Sequence, residues 1–477
     1  MNYRYGFVQS NISKRAVEQT RRRVEMSKVK EIFEYFETEI KSNRLKPRQR
    51  LMSIRAASQY FDVSKNTIVE AYDRLMASGY LKSKPGSGFF VNPSLKKSSP
   101  AKDQLHVTKA IDTASLLKEQ LNPTLAVRIG DGRPPASWMS QFDFDMKINA
   151  PIDSKYGYNP PMGFYPLREI LSQHLYERGI QASPNQIVTT YGANHAMDLI
   201  IKHFLVPGDV VLVDSPGYYP LFSKLKLYKI KIVGVDRLVD GPDINQLEEK
   251  AKHYAPKLFF TQSLGHNPTG GSATLGVQYQ ILKLADKYDF FCVDDDAFAD
   301  LFPGNLPRMA ALDQLDRVIY IGTYSKTLSA NLRVGYIAGK EKLIKSLSHI
   351  KMLTLVSSSD YLERWLHEVL ANGQYLRHLR RLGPLVDTAI EETLSLFEKM
   401  HLHVTYRPER SYYLWVELGE DEDDLELARL AAEQDIFLAP GTLFYPEKKI
   451  SNPSAIRVNL AYAKEPKFIQ FMIDRTK

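Results

Sequence analysis

The stretch GTYSKTLSANLRVG, residues 322–335, sets one lysine, Lys326, among hydroxyl residues, with Arg333 seven positions further on. A lysine amine is charged and a poor nucleophile in water, so its covalent use needs neighbours that lower its proton affinity and orient an aldehyde. A phosphorylated aldehyde would also need hydroxyls, amides and a guanidinium at its phosphate, an aromatic plate on its ring and a carboxylate at a ring nitrogen. The chain holds each type. Thr323 and Ser325 flank the lysine, Arg333 follows, and FFCVDDDAF supplies three adjacent acids. YGANHAMDLI reads as a helix start, whose unpaired N–H groups favour an anion.

A second constellation lies near the N-terminus. VSKNTIVEAY places Ser64, Lys65, Asn66 and Thr67 at the head of a helix whose buried stripe is Ile68, Ala71, Tyr72, Leu75 and Met76. Donors and cations at that end suit the major groove of DNA, and the stripe leaves all four side chains free to turn outward. Ser64 is also a good N-cap, and Gly79 a C-terminal stop.

These residues need scaffolds. Val29, Ile32, Phe33, Phe36 and Ile40 recur at helical spacing, SIRAASQYF suggests a second short helix, and YLKSKPGSGFFV reads as two strands about a turn. Three helices and a hairpin make a winged helix-turn-helix. Farther on, VVLVDSP, KLFFTQS, FFCVDDD and VIYIGTYS alternate with helical stretches such as YQILKLADKY, the pattern of a mostly parallel sheet covered on both faces. From about residue 360 a long helical run opens a small α+β portion. The expected division is a basic leader over 1–27, the winged helix over 28–92, a polar linker over 93–122, and an α/β body over 123–477.

Charge follows this division. Residues 1–120 carry 23 Lys and Arg against 12 Asp and Glu, whereas the rest carries 40 against 43, which suggests a polyanion-binding module on a neutral body. No run of apolar residues is long enough to span a bilayer, and the N-terminus lacks a signal-peptide core. The single cysteine, Cys292, cannot form an intrachain disulfide, which fits a reducing cytoplasm.

Taken together, NRLKPRQRLMSIRAASQYFDVSKNTIVEAYDRLMASGYLKSKPGSGFFV resembles the DNA-binding domain of the GntR family. The resemblance implies base and phosphate contacts by Arg55, Ser64, Lys65, Asn66 and Thr67, and a wing glycine, Gly86, in the minor groove. Arg48 stands where glycine is common and Met52 where proline is usual, which questions the turn before the second helix. YGANHAMD, DSPGYYP, GHNPTG, FFCVDDDAF, TYSKTLSANLRVG and AIRVNLA occur in the order of fold type I aminotransferases that use pyridoxal 5′-phosphate. With its GntR-like head, the chain resembles MocR-type regulators.

The resemblance implies roles for named residues. Lys326 would bond to the cofactor aldehyde and Asp295 would pair with its ring nitrogen, although a one-residue slip would substitute Asp294 or Asp296. Asn267 would meet the phenolic oxygen and Tyr218 stack on the ring. Ala193, Asn194, Thr323, Ser325 and Arg333 would bind the phosphate, and Arg457 a ligand carboxylate. Phe298 stands where many aminotransferases carry a second donor to the phenolic oxygen, which weakens the expectation of turnover. A homodimer on paired DNA half-sites is also implied. Three functions follow: a regulator sensing an amino acid or amine by transaldimination at Lys326, a working aminotransferase with an accessory head, or a sensor of the cofactor itself.

Overall fold

A computed structural model describes residues 28–40, 44–84, 87–92, 125–139, 157–302, 306–419, 422–449 and 451–475. The leader and linker expected over 1–27 and 93–122 lie outside the described residues. The chain divides into two compact units, residues 1–102 and 103–477.

In the head, helix α1 (28–40) buries Val29, Ile32, Phe36 and Ile40 against α2 (Ile54–Tyr60) and α3 (Lys65–Ala77). Strands β1 (Leu81–Lys84) and β2 (Gly88–Val91) pair antiparallel as the wing. The turn that the sequence left in question is intact. Arg48 adopts the left-handed φ of 67° that glycine would tolerate more readily, and its N–H donates to the Val91 carbonyl at 3.0 Å. The Met52 carbonyl accepts the Tyr72 hydroxyl at 3.0 Å, while Ser53 caps α2. Ile68, Ala71, Tyr72 and Leu75 are buried as the spacing predicts, and Met76 is half-buried.

The body is built on eight strands: β3 (Ile187–Thr190), β4 (Val210–Ser215), β5 (Lys231–Leu238), β6 (Gly241–Pro242), β7 (Leu258–Thr261), β8 (Phe291–Asp296), β9 (Val318–Thr323) and β10 (Gly335–Ala338). Their order is β3-β10-β9-β8-β7-β4-β5-β6. The central pairs are parallel, whereas β10 runs antiparallel to both β3 and β9. Successive side chains on a strand serve opposite faces. Leu212, Phe259, Cys292 and Val318 join one core beneath α4 (Tyr165–Glu177); Val211, Val213, Phe260, Val293 and Ile319 join another beneath α5 (Gly192–Phe204) and α6 (Tyr219–Leu227). Burial on both faces explains why these strands read as continuous apolar runs rather than alternating ones.

The long helical run breaks into α7 (Asp360–Ala371) and α8 (Gln374–Lys399) at Gly373, whose φ of 72° ends one helix and starts the next. Beyond α8 lies an antiparallel sheet of β11 (His403–Val404), β12 (Tyr413–Glu417), β13 (Ala439–Pro440) and β14 (Ala455–Asn459), in the order β11-β12-β14-β13. Among the described residues no helix is long and apolar enough to cross a membrane.

Candidate cofactor pocket and groove-facing helix

In an open α/β sheet the crevice lies outside the carboxyl ends of the parallel strands. Here β7, β8 and β9 deliver Gln262, Asp295 and Thr323 to a cavity of about 870 Å³. Ala193, Asn194, Tyr218, Asn267, Ser325, Lys326 and Arg333 line the same cavity. Residues spread over 140 positions of sequence are thus brought together.

The three acids separate by strand alternation. Asp294 accepts the Ser263 N–H at 2.9 Å and the Ser263 hydroxyl at 2.7 Å, and Asp296 accepts the Tyr320 hydroxyl at 2.8 Å. Only Asp295 of the three lines the cavity. Its Oδ2 accepts Gln262 Nε2 at 2.9 Å, while buried Oδ1 has no partner within the protein. Burial pushes the Asp295 carboxyl up to about 7; the Gln262 hydrogen bond opposes this, Asp296 adds to it and Lys326 opposes it. A buried carboxylate oxygen left without a donor suits a cationic N–H on a bound ring.

Opposite, Lys326 Nζ donates to the Gly132 carbonyl, which also accepts the Tyr413 hydroxyl at 3.0 Å. The Lys326 carbonyl accepts the Tyr412 hydroxyl at 2.8 Å.

At another end, α5 begins at Gly192 with no side-chain cap, leaving its first N–H groups to other partners. Arg333, itself at a left-handed φ of 53°, donates to the Tyr191 carbonyl at 2.8 Å. Gly192 holds a φ of 72°, a conformation that residues with a side chain rarely adopt, and a Cβ there would stand 3.2 Å from that guanidinium. Thr323 Oγ1 accepts the Ser325 N–H at 3.3 Å and donates to the Ser325 hydroxyl at 3.2 Å. Hydroxyls, a helix start and a guanidinium that share one cavity with an acid and an amine fit the donor set that a phosphorylated pyridine aldehyde requires.

One expectation for this pocket changes. Arg457 does not line the cavity: it is 1% exposed, with Nη1 donating to Asn267 Oδ1 at 2.9 Å and Nη2 to the Gly130 carbonyl at 2.7 Å. Besides Arg333, the cavity wall carries Arg128 and Arg133, both ion-paired with Asp131, which lines the cavity as well. Sequence reading missed them, although an aspartate two and three positions from arginines in RIGDGR was a visible signal. Phe298 lines the cavity as an apolar ring, edge-on to Tyr412 and Tyr413 at 5.1 and 5.6 Å.

Behind the cavity an unbroken polar chain was also missed. Thr327 Oγ1 lies 2.6 Å from the Tyr375 hydroxyl, which donates to Asp300 at 2.5 Å. Asp300 pairs with Arg178, which reaches the Tyr320 hydroxyl at 3.5 Å, and Tyr320 donates to Asp296. The brace therefore starts beside Lys326 and ends beside Asp295.

In the head, Arg55, Ser64, Lys65 and Asn66 are exposed. Thr67 corrects the outward-facing expectation: it is buried, its hydroxyl 2.8 Å from Ser64 Oγ and its N–H capped by the same oxygen at 3.2 Å. Gly86 lies outside the described residues.

Residues 149–468 match the family described as aminotransferase class I and II, and residues 28–91 match bacterial regulatory proteins of the gntR family. Over 435 residues the chain is 28% identical to the uncharacterized HTH-type transcriptional regulator YdcR of Escherichia coli K12, covering 88% of this chain and 92% of that one. The HTH-type transcriptional regulator NorG of Staphylococcus aureus is 24% identical over 445 residues, covering 87% and 95%. Among solved structures, kynurenine aminotransferase of Pyrococcus horikoshii in complex with PMP aligns at 25% identity with a TM-score of 0.68, covering 76% of this chain and 93% of that one.

Proposed function

The chain belongs to the aminotransferase class I and II family and carries a gntR-type head; from that premise we propose a DNA-binding transcription regulator whose body holds pyridoxal 5′-phosphate and senses an amino acid or amine. One observation carries this reading. Lys326 and the unpartnered Oδ1 of Asp295 face one cavity that also presents Arg333, Thr323 and Ser325.

Bound there, the cofactor supplies an aldehyde carbon that bonds to amines and a ring that withdraws electrons. Lys326 provides the amine that an effector amine must replace. Asp295 holds a proton at the ring nitrogen, compensating its own burial. Asn267 presents its NH₂ to the phenolic oxygen, because its Oδ1 is taken by Arg457. Thr323, Ser325, Arg333 and the first amides of α5 receive the phosphate, and Tyr218 covers the ring. The apolar Phe298 favours sensing over turnover, since it cannot donate to the phenolic oxygen. Differential affinity of the effector for two arrangements of the protein is what regulation requires. In the head, Lys65 and Asn66 on α3 face the groove with Arg55, while Ser64 and Thr67 set the helix start. A homodimer in a cytoplasmic setting completes the proposal.

Lys326→Ala is expected to abolish the visible absorbance of the lysine-bound cofactor while leaving DNA affinity within a few-fold of the parent. Lys65→Ala should do the reverse. A coloured Lys326→Ala protein after dialysis and reconstitution refutes the assignment.

A further inference from the structure

We infer that Gln262 is a positioning residue of the cofactor pocket: its amide occupies Oδ2 of Asp295, so that Oδ1 alone can exchange a proton with a bound ring. This rests on the cofactor reading above and deepens it by one residue. Gln262 directly follows β7 and stands between Asp295 and the turn that carries Asn267. The backbone N–H of Asn267 donates to Gln262 Oε1 at 2.8 Å. A peptide N–H can only donate, which fixes the amide oxygen at that end and turns the NH₂ to the other. There Nε2 donates to Asp295 Oδ2 at 2.9 Å and reaches the Asp295 carbonyl at 3.4 Å. An amide NH₂ accepts nothing, so a proton on Oδ2 would meet it hydrogen to hydrogen. The proton of Asp295 is thereby confined to Oδ1, the buried oxygen without a partner among the described residues. One side chain thus ties the acid for the ring nitrogen to the residue for the phenolic oxygen.

Gln262 is itself held by two buried charges that do not line the cavity. Asp214 Oδ2, on β4, accepts the Gln262 backbone N–H at 3.3 Å, Arg237 Nη1 at 3.1 Å and the Thr261 hydroxyl at 2.8 Å. Arg237, on β5, donates through Nη2 to the Gln262 carbonyl at 3.2 Å. A buried ion pair is a weak source of stability, because desolvation offsets its attraction; what this one supplies is the placement of Gln262. Asp294 and Asp296 on the same strand and Lys326 across the cavity act on the charge of Asp295. Burial holds the Tyr218 hydroxyl far above the neutral range, so it stays protonated. All four groups remain when Gln262 is replaced, so a change in pH profile isolates the amide.

The test uses the full-length chain, free of cofactor and reconstituted with pyridoxal 5′-phosphate, and the near-isosteric Gln262→Met. Without its donor the Asp295 carboxylate is less stabilised and keeps its proton to higher pH. Stability tied to that proton is lost as pH rises through the folded value, so removing the donor carries the end of the loss upward. In the cofactor-free protein, the pH at which the thermal midpoint stops falling is expected to rise by about one unit, a tenfold change in proton affinity. The pH midpoint of the visible absorbance of the loaded protein should move as well. Gln262→Glu keeps the acceptor for Asn267 but sets a second carboxyl against Oδ2, and should move the first profile at least as far. In an Asp295→Asn background, Gln262→Met should leave that profile where it was. Profiles untouched by both variants overturn the positioning role, as does a drop in thermal midpoint that is uniform in pH and equal with and without Asp295. A parent that stays colourless after reconstitution overturns the cofactor reading instead, and the cofactor-free profile still decides whether Gln262 governs the proton of Asp295.

Discussion

Asp295 shows how much chemistry one position carries. Its identity was legible only to within a run of three acids; strand alternation, which the run itself could not reveal, turns it alone toward the cavity. Its folded carboxyl sits near 7 against 3.8 for an ordinary aspartate. Between those values the folded chain keeps a proton that the unfolded chain releases, so stability falls as pH rises through that window and the cost is complete above it. Asp295→Asn removes this titration. In the cofactor-free protein, the thermal midpoint of the body should fall less steeply between about pH 5 and pH 8, by the equivalent of about 1–3 kcal/mol. Asp294, also pushed up to about 7 by burial first and Asp296 second, keeps its share, so a slope remains. Equal slopes in parent and variant would contradict the burial cost assigned to Asp295.

At the scale of elements, the central strands and α5 were legible because apolar runs and a helix-start signal survive in a single sequence. The direction of β10, the break at Gly373 and the partners of α8 were not, because each depends on contacts across many residues. Tyr375 makes the point: within ANGQYLRHLRR it reads as one more helical residue, yet its hydroxyl links Thr327 to Asp300. Tyr375→Phe removes that link and leaves Asp300 paired only with Arg178. A loss of about 1–3 kcal/mol in denaturant unfolding is expected, with faster release of the cofactor from the reconstituted protein. Unchanged stability together with unchanged release would show that the brace does not position the lysine turn. In the head, the cap written as Ser64–Thr67 was legible as a helix start, whereas the burial of Thr67 followed from its bond to Ser64 and was not.

For the whole molecule, the charge division is the strongest global signal, since the basic excess lies in the first quarter of the chain. Contacts between cations and phosphates release counterions, so DNA affinity should drop about a thousandfold or more between 50 and 200 mM salt if some six or more phosphates are engaged. Amino-acid binding by the body should move far less over the same range, because its ligands are held within the cavity. A salt-indifferent DNA complex would refute the electrostatic role of the head. Lys65→Ala should lower affinity, and a reduction of the logarithmic salt slope by about one would mark it as a phosphate contact rather than a base contact.

The carbonyl of Gly132 accepts from both Lys326 and Tyr413, and that of Gly130 accepts from Arg457. Any newcomer that claims those donors must first evict peptide oxygens already seated there. Measured affinities will therefore report an exchange between two sets of lodgers, so a feeble ligand need not be a poorly shaped one.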